Sequence, residues 1–204
     1  MKNYEYIIAG LPVVDSGFKF TDRTPDDFIA EIREQLDRKD NALVDFLLDG
    51  YDADKLDADF YRKAITHSNR FLREFFSFDL NLRNAKVKFL NKALSRAADK
   101  DVMVLMDEKE EVVELPFEQE NEVAEALRKD DLLSREKALD DLVWAKISDI
   151  TVFDTFNIDA VLAFIAKMQV TARWFRLDEQ KGREMFRKLS DEVRGTFKGV
   201  NYNG

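Results

Sequence analysis

At 204 residues, 45% hydrophobic and carrying 17 Phe, the chain is long enough to bury a substantial core, and its 7 Gly and 3 Pro are too few for a fold of many strands and tight turns. The absence of Cys excludes disulfides and thiolate metal sites and suits a reducing cytoplasm, while the net charge of -9 argues against general nucleic-acid binding, which needs a concentrated basic surface. No stretch approaches the roughly 20 apolar residues that a bilayer-spanning helix requires, so membrane association is expected only through protein partners.

In chain order, Tyr4-Glu5-Tyr6-Ile7-Ile8-Ala9-Gly10 is aromatic and β-branched and is stopped by Leu11-Pro12, which predicts a short extended N-terminal segment. With no extended basic lead and no small-residue cleavage site, this start is read as mature protein. Thr24-Pro25-Asp26-Asp27 then opens a helix: Thr24 can cap, Pro25 suits the first helical position, and the two aspartates face the positive helix end. Phe28, Ile29, Ile32 and Leu36 form its expected buried stripe. A second short helix is expected over 41–49, offering Leu43, Phe46 and Leu47 and ending at Gly50.

Between Asp57 and Ala98 there is neither Gly nor Pro. Apolar residues and the lone histidine recur at Phe60, Ala64, His67, Phe71, Phe75, Phe78, Leu82, Ala85, Phe89 and Ala93, the three-and-four spacing of one helix face. Unbroken, such a helix would be roughly 60 Å long, more than the width of a domain this size. It is expected either to break, near 77–81, or to project as an arm or wrap across the molecule. Residues 102–106 and 112–115 flank the acidic run 107–111, a pattern that fits either a small hairpin or a helix with a solvated middle. Helices are expected again over 118–128, over 134–150 with Ser134 as cap, over 158–176, and from Asp178 through Val193. The expected whole is all-α: a single domain over 1–204, with a possible subdivision near 100–117.

Charge alternates in blocks. Lys and Arg against Asp and Glu number 7 to 15 over residues 1–59, 10 to 3 over 60–100, 6 to 18 over 101–160 and 9 to 5 over 161–204. Basic helices docking on acidic neighbours within the molecule account for this, as does one basic face meeting an acidic partner.

Signatures of catalysis are missing. His67 is the sole imidazole, which excludes a two-histidine zinc helix and a paired Glu-x-x-His di-iron bundle; it is read as a packed or interface residue. The glycines stand singly, so no phosphate loop is present. Asp49, Asp52, Asp54, Asp57 and Asp59 form an acidic run without the central Gly and terminal Glu of a calcium loop, and are read as solvated. Phe71, Leu72, Phe75, Phe76 and Phe78 cover more than one helical stripe, so this segment is expected to be buried on more than one side or to meet a partner. Trp144 and Trp174 are read as core or interface anchors.

Two segments carry a resemblance. Phe76-Ser77-Phe78-Asp79-Leu80-Asn81-Leu82-Arg83-Asn84-Ala85 resembles a run on a long helix of the C-type stalk subunit of the V/A-type ATPases, the counterpart of the d-type stalk subunit of the eukaryotic enzymes. Phe156-Asn157-Ile158-Asp159-Ala160-Val161-Leu162-Ala163-Phe164-Ile165-Ala166-Lys167 is similar to the opening of that family's C-terminal helix, with Arg173 and Arg176 where that helix carries its later arginine and Lys181-Gly182 like the turn before its last helix. Met168-Gln169 stands where the family usually has a glutamate, and the chain is too short for the three repeats of the C-type stalk subunit. The Tyr-rich N-terminal run ending in Leu11-Pro12 resembles a smaller bacterial family encoded beside V-type ATPase subunits.

The resemblance implies a bundle of long helices like that of the C-type stalk subunit, acting as a non-catalytic central-stalk connector between the membrane rotor ring and the central shaft of a V-type ATP synthase or ATPase. It implies a cytoplasmic protein held at the inner membrane through those partners, supporting proton or sodium transport, with no cofactor. Arg70, Arg73, Arg83, Lys86, Arg173 and Arg176 are the candidate partner contacts, internal salt bridges being the competing use of each. Two other functions are compatible with the residues: a general helical scaffold or assembly factor, and an enzyme working through convergent carboxylates with a divalent metal.

Overall fold

A computed structural model describes residues 4–15 and 23–174, so the helix expected from Asp178 lies outside the described residues. Among those described the chain is all-helical, with no sheet. The first helix, α1 (Tyr4–Ala9), replaces the expected extended segment. Tertiary packing overrides β-propensity here: helical spacing puts Ile7 into the core and lets the Tyr4 hydroxyl donate to Asp40 at 2.6 Å.

Helix α2 (Pro25–Gln35) begins as expected, with Thr24 and Asp27 forming a reciprocal capping box, and it buries Phe28, Ile29 and Ile32. Helix α3 (Arg38–Asp49) starts three residues before the expected Asn41 because the Asp37 carboxylate accepts from the Lys39 and Asp40 amides. It ends at Gly50, where an added Cβ would lie 2.2 Å from the Phe76 ring.

The long periodic stretch does break, but at 66–69 and not at 77–81. Helix α4 (Ala58–Ile65) is capped by Asp57, and α5 (Arg70–Ala93) by Asn69, whose Oδ1 accepts from the Leu72 amide at 2.9 Å. The polar run Thr66-His67-Ser68-Asn69 offers its own hydrogen bonds to the backbone, and that is what ends one helix and starts the next without Gly or Pro. With 24 residues, α5 is about 36 Å long. It packs on α4, α6 and α7, which explains why Phe71, Leu72, Phe75, Phe76, Phe78, Leu80 and Leu82 are buried over more than one stripe of the helix.

The acidic segment 107–111 belongs to a hairpin-like loop closed by one antiparallel bridge, Met106 to Val112. Asparagines of α5 bind the connection in place of a strand partner. Asn84 makes a two-way bond with the Met103 backbone at 2.9 and 3.0 Å, Asn91 donates to the Ala98 and Lys100 carbonyls, and Asn81 to the Pro116 carbonyl. Helix α6 (Glu120–Leu127) follows. Helix α7 (Leu132–Ile150) is capped by Asp131, not by Ser134, whose amide is instead one of the two donors to that carboxylate. Residues 158–174 are helical, here α8, with Asn157 accepting from the Ala160 amide at 3.0 Å as its cap.

One core runs from Ile7 through Ile32, Val44, Phe71 and Phe75 to Ile147, Val161, Leu162 and Ala166. A second apolar cluster joins Phe78 and Leu82 of α5 to Val123 and Leu127 of α6 and Leu139 of α7. No described helix is long and apolar enough to cross a membrane.

Candidate functional site

Helices α5 and α8 run side by side in the same direction. At their beginnings the two capping asparagines and three charged groups interlock. Asn69 Nδ2 donates to Asp159 Oδ1 at 2.6 Å, Asn157 Nδ2 donates to Asp154 Oδ1 at 2.5 Å, and Arg70 pairs with Asp154 while lying 3.8 Å from Asp159. Both carboxylates therefore sit where two positive helix ends meet, which offsets the cost of placing parallel helix dipoles together.

Arg73 and His67 complete this clasp. Arg73 Nη1 donates to the His67 carbonyl at 2.7 Å. The imidazole packs on Phe46 at 4.9 Å, and its Nδ1 accepts from the Asn69 amide at 2.9 Å. Burial, with the neighbouring Arg73 guanidinium, holds the His67 pKa below its ordinary value.

Directly beside the clasp, the loop from α7 to α8 turns three large apolar side chains outward: Val152, Phe156 and Phe153, the last 93% exposed. The loop backbone is nonetheless well tied. Thr151 Oγ1 donates to the Ile147 carbonyl at 2.8 Å, the Val152 amide to the Asp149 carbonyl, and the Asp154 amide to the Thr151 carbonyl at 3.0 Å.

Some fourteen to seventeen residues further along α8 and α5, the same helices and α7 form a cleft of about 820 Å³. Its charges make two stations. At one, Arg83 Nε donates to Asp79 Oδ2 at 2.7 Å, and the Tyr61 hydroxyl donates to the same oxygen at 2.5 Å. Burial, with the adjacent Asp79 charge, pushes the Tyr61 pKa upward, so this phenol stays a donor. At the other, Glu136 bridges Lys86 at 3.1 Å and Arg173 at 3.5 Å, while Asp140 accepts from Arg173 and, at 2.5 Å, from Trp174 Nε1. Burial raises the Asp140 pKa despite the opposing pull of Arg173.

The predicted contact residues thus divide between two places. Arg70 and Arg73 hold the clasp; Arg83, Lys86 and Arg173 line the cleft; Arg176 lies outside the described residues. Each of the five described makes an internal ion pair or hydrogen bond, the use that competes with partner contact. The acidic run near Asp49 is likewise absorbed: Asp57 caps α4, Lys55 pairs with Asp49 at 2.6 Å, and Asp59 pairs with Arg62. Although the cleft gathers Asp79, Asp101, Glu136 and Asp140, no group of three or more His, Cys, Asp or Glu among the described residues could hold a metal ion.

Sequence reasoning overlooked Phe153 and the carboxylates that answer the cations. Phe153 falls outside every helical stripe and stands between Thr151 and Asp154, a turn setting that marks a surface aromatic. Glu136 and Asp140 are four residues apart and so share one face of α7, beside Leu139 and Val143.

Among the described residues, fold and sites together define an all-α architecture in which α5 packs on several neighbours, with an apolar tip near its beginning and a charged cleft further along it. The chain belongs to the DUF2764 family, a family of proteins of unknown function, whose model matches residues 51–196 and so takes in both sites. Neither the curated proteins nor the solved structures gave a match.

Proposed function

We propose that this protein is a non-catalytic connector resembling the C-type stalk subunit of a V-type ATP synthase or ATPase, joining the membrane rotor ring to the central shaft from the cytoplasmic side. One observation carries the reading: the two segments on which the resemblance rests lie in α5 and in the opening of α8, helices that run in the same direction, are joined at their beginnings by the hydrogen bond from Asn69 to Asp159, and share the main core. A coupling element must pass force without bending, and a doubly capped pair of helices with an aromatic interior is a stiff unit.

The exposed apolar tip gives such a connector a place to grip. An aromatic side chain left 93% exposed on a tied loop contributes nothing to folding, whereas buried in a partner's pocket it becomes an anchor. The bundle then acts through its partners without doing chemistry of its own.

The test is affinity purification of the tagged full chain from its own host under mild conditions. Rotor-ring and shaft subunits are expected to co-purify, and Phe153→Asp is expected to lose them with the melting temperature unchanged. Recovery of the chain free of ATPase subunits would sink the connector reading, and capture of a different assembly would identify a general helical scaffold instead.

A further inference from the structure

We infer that the cleft between α5, α7 and α8 binds an acidic segment of a protein partner, its carboxylates taken by Arg83, Lys86 and Arg173. This goes beyond the connector reading and stands without it.

Charge in the cleft is layered. The side chains of Arg83, Lys86 and Arg173 are 35–49% exposed, those of Asp79, Glu136 and Asp140 only 13–27%. Within these pairs the carboxylates lie beneath and the cations above, so a visitor to the pairs meets the cations first; the exposed Asp101, which belongs to none of them, brings the lining to four carboxylates against three cations. Pairs this exposed are weak, at most about 1 kcal/mol, so exchange with an external carboxylate is easy.

The arrangement also selects what kind of anion fits. Arg83 answers to Asp79, whereas Lys86 and Arg173 share Glu136, so the cations form two ion-paired stations, with Arg83 and Lys86 one turn apart on α5 and Arg173 on α8. Two stations suit a chain bearing several carboxylates better than a single compact anion. Between and beside them Leu82, Val87, Leu139, Val143 and Val170 supply apolar walls for the stem of such a chain. The stretch that contributes α5 carries 10 Lys and Arg against 3 Asp and Glu over residues 60–100, so the local field attracts an acidic partner although the whole molecule is at -9.

The experiment titrates the full chain against a fluorescein-labelled peptide of about sixteen residues with Glu and Leu on opposite helical faces, read by anisotropy. A Gln-for-Glu version of the peptide is the control. Binding of the Glu peptide is expected to exceed the control by about tenfold and to weaken with added salt. Replacing Arg83→Gln together with Lys86→Gln is expected to weaken it by about tenfold. Glu136→Gln acts in the opposite direction: it unmasks Lys86 and Arg173 and is expected to tighten binding about threefold. A misfolded variant cannot tighten binding, so this arm does not depend on the stability of the double variant. Equal binding of the two peptides, loosened binding by Glu136→Gln, or displacement by succinate at the peptide's own affinity would each overturn the inference. None of these would alter what co-purifies from the host.

Discussion

At the end where α5 and α8 begin, charge is turned inward and apolar surface outward. Asp159 and Asp154 are consumed by Asn69, Asn157 and Arg70, and the neighbouring Phe153 is left in water. In the cleft the order is reversed. Apolar residues line the walls, and half-exposed cations face the opening over the less exposed carboxylates that pair with them. The difference teaches that ion pairs can serve unlike ends. Pairs at helix beginnings fix backbone and leave recognition to shape and apolar area, which salt barely touches. Pairs whose cations remain accessible fix only side chains and leave recognition to charge, which salt screens.

The largest expected effect tests the first half of that contrast. Asp159 is buried and accepts from the Asn69 side-chain amide, so Asp159→Ala leaves a polar donor and part of the Arg70 charge without a partner inside the clasp. A loss of about 2–3 kcal/mol is expected, measured as a lower midpoint in urea unfolding at unchanged slope. A loss below about 0.5 kcal/mol would mean that the clasp is ornamental and that apolar packing alone holds α5 to α8.

Much of the fold could be read from the chain because its helices are amphipathic and strongly capped. The α2 box at Thr24 and Asp27 and the stripe through Phe71, Phe75 and Phe78 behave as capping chemistry and spacing require; α3 does end at Gly50, but in a right-handed conformation, where the Phe76 ring leaves no room for a side chain. The departures have a common cause in contacts remote in sequence. Helix α1 forms because Asp40, thirty-six residues away, receives its Tyr4, and the connection after α5 is pinned by Asn81, Asn84 and Asn91, whose role is invisible in a helical periodicity. The break falls at 66–69 and escapes a reading of periodicity because Asn69 ends no apolar pattern; it only caps. In the cleft the cations are legible as a basic block, but which carboxylates they meet depends on how α7 and α8 dock, and periodicity does not encode that.

A smaller effect sharpens the comparison through pH. His67 belongs to the clasp, and its Nδ1 can accept the Asn69 amide only while unprotonated. Its folded pKa is depressed, chiefly by burial, so the unfolded chain takes up its proton first, near 6.5. The stability it contributes is present above that value and is lost as pH falls from it toward the folded pKa. Melting temperatures measured between about pH 7.5 and 5.5 are expected to fall on acidification, and His67→Gln is expected to remove that part of the slope. An unchanged slope would place the acid sensitivity elsewhere.

The smallest effect is expected in the cleft, at Asp140. Burial outweighs Arg173 and raises its folded pKa, so ionising it works against the fold: the contribution to stability is full below the unfolded value of 3.8 and is lost as pH rises through the folded one. Asp140→Asn keeps an acceptor for Trp174 while removing a charge that is poorly solvated, and Arg173 is exposed enough to turn to water or to Glu136. A change within about 0.5 kcal/mol at neutral pH follows, against several times that for Asp159→Ala, though both substitutions remove a carboxylate from an ion pair. Parallel urea titrations of the two variants compare the ends directly. If Asp140→Asn costs as much as Asp159→Ala, the cleft is as structural as the clasp, and its cations are not available to a visitor.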